Sequence, residues 1–246
     1  MGKNKARKFL ENETFKCLVQ PEFDEIFDVT HPLKGNWNKN QFSVDQSITL
    51  EMGCGRGEYT IDLAKNCLTK NFIGIDIKGA RMWHGAKDAT VNNITNAAFL
   101  RTRIEFINNI FDQNEVSEVW ITFPDPQLKK QRAFKRLTSP TLLNQYTKFL
   151  KPDAIIQLKT DSQHLHEYTK AVLEHNNIIP INCNNDIYGT GFADPILSIK
   201  TTYEKKFLEQ GLPITYISFQ IPAGLVLTDP LFQPDEELGS LDDNRV

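Results

Sequence analysis

The sequence predicts an α/β fold: a mostly parallel, seven-stranded sheet with helices on both faces. Three observations carry this. From residue 48 onward, short runs rich in β-branched and aromatic residues alternate with helical apolar patterns. A glycine-rich turn, Leu50-Glu-Met-Gly-Cys-Gly-Arg-Gly57, lies at the first strand-to-helix junction. The last two strand patterns flank a short helix and close on themselves, which suits a sheet covered on both sides.

Residues 1–46 lack clean periodicity and read as an N-terminal arm lying on, or reaching beyond, the domain. The spacing predicts a strand over 48–52 and a helix over 58–67, with Tyr59, Ile61, Leu63 and Ala64 apolar. A strand over 72–76, a helix over 79–91 and a weaker strand over 97–101 follow. Residues 118–123 (Glu-Val-Trp-Ile-Thr-Phe) form the strongest strand pattern. Pro140 opens a helix over 141–150, and Lys151-Pro-Asp153 reads as a turn into a strand over 154–159. A helix over 162–175, strands near 178–183 and 214–220, and a short helix from Tyr203 complete a domain over 47–222. Residues 223–246 read as an acidic, flexible tail.

The net charge of −3 is unevenly distributed. Residues 227–246 hold six acids (Asp229, Asp235, Glu236, Glu237, Asp242, Asp243) against Arg245, leaving 25 acids and 27 bases elsewhere. A solubilising tail therefore masks a mildly basic body. No apolar run approaches the roughly 18 residues of a membrane span, and no apolar signal core follows the basic N-terminus. Cys17, Cys54, Cys67 and Cys183 have neither C-x-x-C nor zinc spacing. They read as reduced thiols of a cytoplasmic protein. The five histidines form no recognisable metal set.

Glu51-x-Gly53-x-Gly55-x-Gly57 places three residues without Cβ atoms where backbone can approach a ligand, with helix amides expected to stay free. Asp76, ending the next strand, is positioned to accept hydrogen bonds from two ribose hydroxyls. A dinucleotide would bring pyrophosphate close to Glu51, at a cost of about 1 to 4 kcal/mol. No Gly-Lys-Ser/Thr follows, so a phosphate-binding P-loop is excluded. S-adenosylmethionine carries an ammonium and a sulfonium instead, so the turn favours a methyltransferase over an NAD enzyme.

After the fourth strand the chain reads Phe123-Pro-Asp-Pro-Gln-Leu-Lys-Lys-Gln-Arg-Ala-Phe-Lys-Arg136. The two prolines hold Asp125 in a stiff segment at the ligand edge of the sheet. Lys129, Lys130, Arg132, Lys135 and Arg136 crowd into eight residues, and nucleic-acid phosphate contacts are expected of them. Thr160-Asp161 adds a second acid on that edge.

These segments together, with Thr201-Thr-Tyr-Glu204, resemble the bacterial tRNA (guanine-N7-)-methyltransferase family, over about residues 48–220. The resemblance implies a class I, Rossmann-like methyltransferase fold and methyl transfer from S-adenosylmethionine to N7 of a guanosine in the tRNA variable loop. It implies that Glu51 and Asp76 bind the cofactor, that Asp125 is catalytic beside it, and that Lys129, Asp161, Thr201, Thr202, Tyr203 and Glu204 hold the substrate nucleotide. Gln127 stands where the family commonly has Trp. The family's adenine-facing acid falls at Arg103, with Glu105 two residues on, so either residue is a candidate for that contact. Thr201-x-x-Glu204 also matches a helix capping box. An NAD(P)-dependent oxidoreductase and a non-catalytic RNA-binding module are the alternatives, each leaving one of the two segments without a purpose. Oligomeric state, monomer or homodimer, is left open.

Overall fold

The computed structural model describes residues 3–42 and 44–230. The chain forms two compact units, Met1–Val119 and Trp120–Val246. Among the described residues there are eight strands, where seven are expected from sequence.

In the first unit the expected arm is folded structure. It forms α1 (Lys3–Asn12), β1 (Leu18–Val19), α2 (Phe23–Ile26) and α3 (Trp37–Asn40). α1 lies along α5 (Gly79–Val91): Asn12 Nδ2 donates to the Gly79 carbonyl at 2.9 Å, and Trp83 Nε1 donates to Glu11 Oε2 at 2.6 Å. Lys8 and Lys87 place their ammoniums 4.7 and 4.6 Å from the Trp83 ring centre. Trp37 is fully buried, donates to the Ile110 carbonyl at 3.0 Å and stacks on Phe111. Periodicity misses these pieces because each is one to three turns long and is held by tertiary contacts instead of by an extended amphipathic face.

The centre of this unit is β2 (Ser47–Met52), α4 (Glu58–Asn66), β3 (Lys70–Asp76), α5 and β4 (Ala97–Arg101). β3 pairs in parallel with β2 on one side and with β4 on the other, and β1 adds the eighth strand by pairing with β4. Successive residues of β2, β3 and β4 are almost all buried. Since neighbours on a strand point to opposite faces, both faces of the sheet are covered. The strands end level at their C-termini, with Asp76 in register with Arg101. This edge is where open parallel sheets bind ligands.

β5 (Val116–Thr122) carries the chain through the boundary between the units. The second unit contains α6 (Pro140–Tyr146), β6 (Leu150–Thr160), α7 (Gln163–His175), β7 (Asn182–Asn184), α8 (Thr202–Glu209) and β8 (Thr215–Phe219). β8 runs antiparallel to both β6 and β7. Lys151-Pro-Asp153 is part of β6 and not a turn. The pairing of β6 with β8 begins at Ile156, so Pro152 precedes that ladder. Ser139 and Ser162 cap α6 and α7 with their hydroxyls.

Residues at the start of the expected tail are held by the domain. Asn144 exchanges two 2.9 Å hydrogen bonds with the Leu227 backbone, and Asn176 two with that of Thr228. Asp235, Glu236, Glu237, Asp242 and Asp243 lie outside the described residues. Among the described residues no helix is long and apolar enough to cross a membrane.

Candidate functional site

In the first unit the expected cofactor residues collect at the C-terminal edge of β2, β3 and β4. Gly53, Gly55 and Gly57 have φ of 74°, 56° and 73°, a left-handed conformation that side chains resist. At Gly57 the space is closed as well: a Cβ would come 2.4 Å from Phe99 Cε1. At Gly55 a Cβ would meet only the Gly53 carbonyl, at 4.0 Å, so that face of the turn is open.

The turn amides are less free than expected. Gly53 and Cys54 donate to the Ile75 carbonyl at 2.8 and 2.9 Å, and Gly57 donates to Cys54 at 2.8 Å. The Gly55 amide donates to Asp76 Oδ2 at 2.9 Å, while Asp76 Oδ1 accepts from Lys78 N–H at 2.7 Å. Asp76 thus braces the turn. Each carboxylate oxygen has two lone pairs, so capacity for hydroxyl donors remains.

Glu51 is the penultimate residue of β2. It is buried, with 3% exposure, and its Oε2 accepts from the Thr60 amide at 2.8 Å and from the Thr60 hydroxyl. It fixes the first turn of α4 from beneath the loop. Burial, then Glu51, then Asp76 push the Cys54 thiol well above the ordinary cysteine range. The carboxylates of Glu51 and Asp76 both stand at this turn. Arg103 is exposed just beyond β4 and pairs with Glu105 at 3.2 Å.

In the second unit Phe123-Pro-Asp-Pro-Gln127 leaves β5 between two non-glycine residues of positive φ, Phe123 at 47° and Gln127 at 48°. Such backbone is held only where its surroundings over-determine it. The Phe123 amide donates to the Lys159 carbonyl at 2.9 Å. Asp125 is exposed, and its Oδ1 accepts from the Gln127 amide at 3.0 Å, closing a short side-chain turn.

Lys129, Lys130, Arg132 and Lys135 are exposed along and just before the 3-10 helix Lys130–Lys135. Arg136 corrects the expected phosphate contact. It is fully buried, donating from Nε to the Pro126 carbonyl at 3.1 Å and from a terminal nitrogen to Gln127 at 3.2 Å. Its guanidinium lies 4.3 Å from the Tyr168 ring centre. A planar guanidinium with five donors can serve two carbonyls and stack on a ring at once. Arg136 holds the Asp125 turn.

Asp161 is buried at the end of β6. Thr201 caps α8, its hydroxyl accepting from the Glu204 amide at 3.2 Å. Thr202 is half-buried and Tyr203 is 44% exposed. Glu204 does not complete a capping box. Its buried carboxylate accepts from Lys159 Nζ and from the Tyr188 hydroxyl, at 2.8 and 2.6 Å. Sequence reading missed this triad. Its one signal was a lysine closing an otherwise buried strand pattern, which requires an acid partner somewhere.

Residues 45–217 match the pattern of a family described as "Putative methyltransferase". A tRNA (guanine-N(7)-)-methyltransferase of Christiangramia forsetii is 49% identical over 221 residues, covering 89% of this chain and 99% of the relative. The protein of the same name from Porphyromonas gingivalis is 52% identical over 210 residues, 84% of this chain and 85% of its own. Of solved structures, the 16S rRNA methyltransferase KamB gives a TM-score of 0.57 at 13% identity, covering 76% of this chain and 92% of that one. A SAM dependent methyltransferase from Aquifex aeolicus gives 0.51 at 13% identity, covering 88% and 98%. At such identities the structural likeness speaks for the fold alone. Fold, glycine turn and family pattern define a methyltransferase. More narrowly, the chain belongs to the tRNA (guanine-N(7)-)-methyltransferase family.

Proposed function

We propose that this protein transfers the methyl group of S-adenosylmethionine to N7 of a guanosine in the variable loop of tRNA. The observation that carries the cofactor assignment is the open-faced glycine turn at residues 53–57, with the Glu51 and Asp76 carboxylates beside it. An ammonium and a sulfonium gain energy in that field, whereas a pyrophosphate loses it. The residues fit the group: Gly55 leaves room for close approach, and Asp76 keeps acceptor capacity for ribose hydroxyls. Arg103 or Glu105 is the candidate neighbour of the adenine.

When bound, S-adenosylmethionine supplies an electrophilic methyl on sulfur. Guanine N7 has an in-plane lone pair and no proton, so no general base is needed to make the nucleophile. The protein's contribution is then alignment, which supplies several of the roughly 7 to 11 kcal/mol available from orientation. Asp125, exposed on its braced turn, accepts from the N–H edge of the base and gains attraction as the purine becomes cationic. Lys129, Asp161, Thr201, Thr202 and Tyr203 are the candidates to hold the nucleotide, while Lys130, Arg132 and Lys135 face tRNA phosphates. N7 lies on the major-groove edge, which is inaccessible in a deep A-form groove. The target is accordingly an irregular part of the RNA such as the variable loop.

Calorimetry tests the cofactor half of this reading against its rival. S-adenosylmethionine is expected to bind and NADH to fail; binding of NADH alone would overturn it.

A further inference from the structure

From the buried Lys159–Glu204 pair we infer that Lys159 is a positioning residue for the guanosine site, joining the Asp125 turn to the start of α8. The inference rests on the functional reading above, since it concerns how that site is aligned. Lys159 is the penultimate residue of β6 and its side chain is fully buried. The ammonium donates to the Leu197 and Ile199 carbonyls, at 2.6 and 2.9 Å, and to Glu204 at 2.8 Å. Those carbonyls lie four and two residues before Thr201, the residue that caps α8. One cation thereby fixes both the approach to α8 and its first turn, from which Thr202 and Tyr203 project.

The same residue also holds the other element. Its carbonyl accepts from Phe123 N–H at 2.9 Å, and its ammonium lies 5.7 Å from the Phe123 ring centre. Phe123, with its positive φ, is the residue that turns the chain from β5 into Pro-Asp-Pro. Main chain and side chain of Lys159 therefore each hold one of two segments expected to touch the same base. Tyr188 completes the lock by donating to Glu204 Oε1 at 2.6 Å; burial and the carboxylate push its phenol above the tyrosine range, so it remains a donor.

A buried ion pair is poor evidence of stabilisation, because an apolar pair of similar volume is often as stable. What three directed donors give that an apolar side chain cannot is a fixed direction of approach for each acceptor. The pair is thus expected to matter more for alignment than for folding.

The test replaces both charges at once, Lys159→Met with Glu204→Gln, so that no unpaired ion is left buried. Tyr188→Phe, which removes one hydrogen bond from a half-buried ring, reads the same lock should the double variant fail to fold. Measured are the single-turnover rate of N7 methylation at saturating tRNA and the affinity for S-adenosylmethionine. The expected result is a rate lowered about tenfold or more in the double variant and less in Tyr188→Phe, with cofactor affinity unchanged. Rates equal to the parent's in the folded variants, or an equal loss of cofactor affinity, would overturn the inference. If the unaltered protein itself forms no 7-methylguanosine, the functional reading fails and not merely the role of Lys159.

Discussion

Asp76 binds two amides of its own chain, those of Gly55 and Lys78, and is proposed to bind two hydroxyls of the cofactor. Asp76→Ala removes a charged acceptor from both tasks. The expected loss is about 1.5 to 3 kcal/mol of S-adenosylmethionine affinity, in a protein that remains folded. Calorimetry checks this, and unchanged affinity would refute the assignment. Gly57 makes the opposite prediction, about stability. Gly57→Ala places a methyl 2.4 Å from Phe99 at a φ of 73°. Thermal unfolding should show destabilisation of about 2 kcal/mol or more, because neither the ring nor the turn has room to yield. The need for glycine here was legible from spacing. Phe99 beneath the turn was not, since nothing local marks which strand residue will lie there.

At the scale of elements, the basic segment divides in two. Lys130, Arg132 and Lys135 are exposed, whereas Arg136 is buried under the Asp125 turn. Changing the three exposed cations to Ala should lower tRNA affinity and reduce the log–log salt slope by about 0.7 to 0.9 for each phosphate no longer neutralised. Arg136→Met should leave that slope alone while lowering thermal stability and the methylation rate. A fluorescence titration across salt concentrations separates the two; an equal slope change in both variants would contradict the division. A run of like charges implies that some are solvated, but not which one turns inward. Arg136 turns inward because the Pro126 and Gln127 carbonyls need donors and Tyr168 offers a ring face. For the turn itself, Asp125→Asn keeps size and hydrogen-bonding capacity but removes the charge. The loss should appear in the single-turnover rate much more than in binding of either ligand, with Asp125→Ala costing more. Parental rates in the Asn variant would make Asp125 a structural residue of the turn.

Across the whole molecule, sequence periodicity found what parallel sheets make visible. Residues 79–91 and 97–101 match α5 and β4, and most other strand ends shift by one or two positions, but β6 starts four residues earlier than expected, β7 four residues later, and α6 ends at Tyr146 and not at residue 150. Buried strands read as apolar runs because both their faces are covered. Two other departures have a common cause. Residues 18–19 and 227–228 owe their structure to partners far away in sequence, Phe99 and Leu100 for the first and Asn144 with Asn176 for the second. The Lys159–Glu204 pair is hidden for the same reason, its two residues lying 45 positions apart. Function was more legible than packing, because the glycine turn and the Pro-Asp-Pro segment are contiguous in the chain.

The most direct measurement of the central claim is to incubate the protein with tRNA and methyl-labelled S-adenosylmethionine, digest the RNA and identify the labelled nucleoside and its fragment. The expected result is label in 7-methylguanosine, in the fragment that contains the variable loop. Label in any other nucleoside, or none transferred to RNA, would contradict the account.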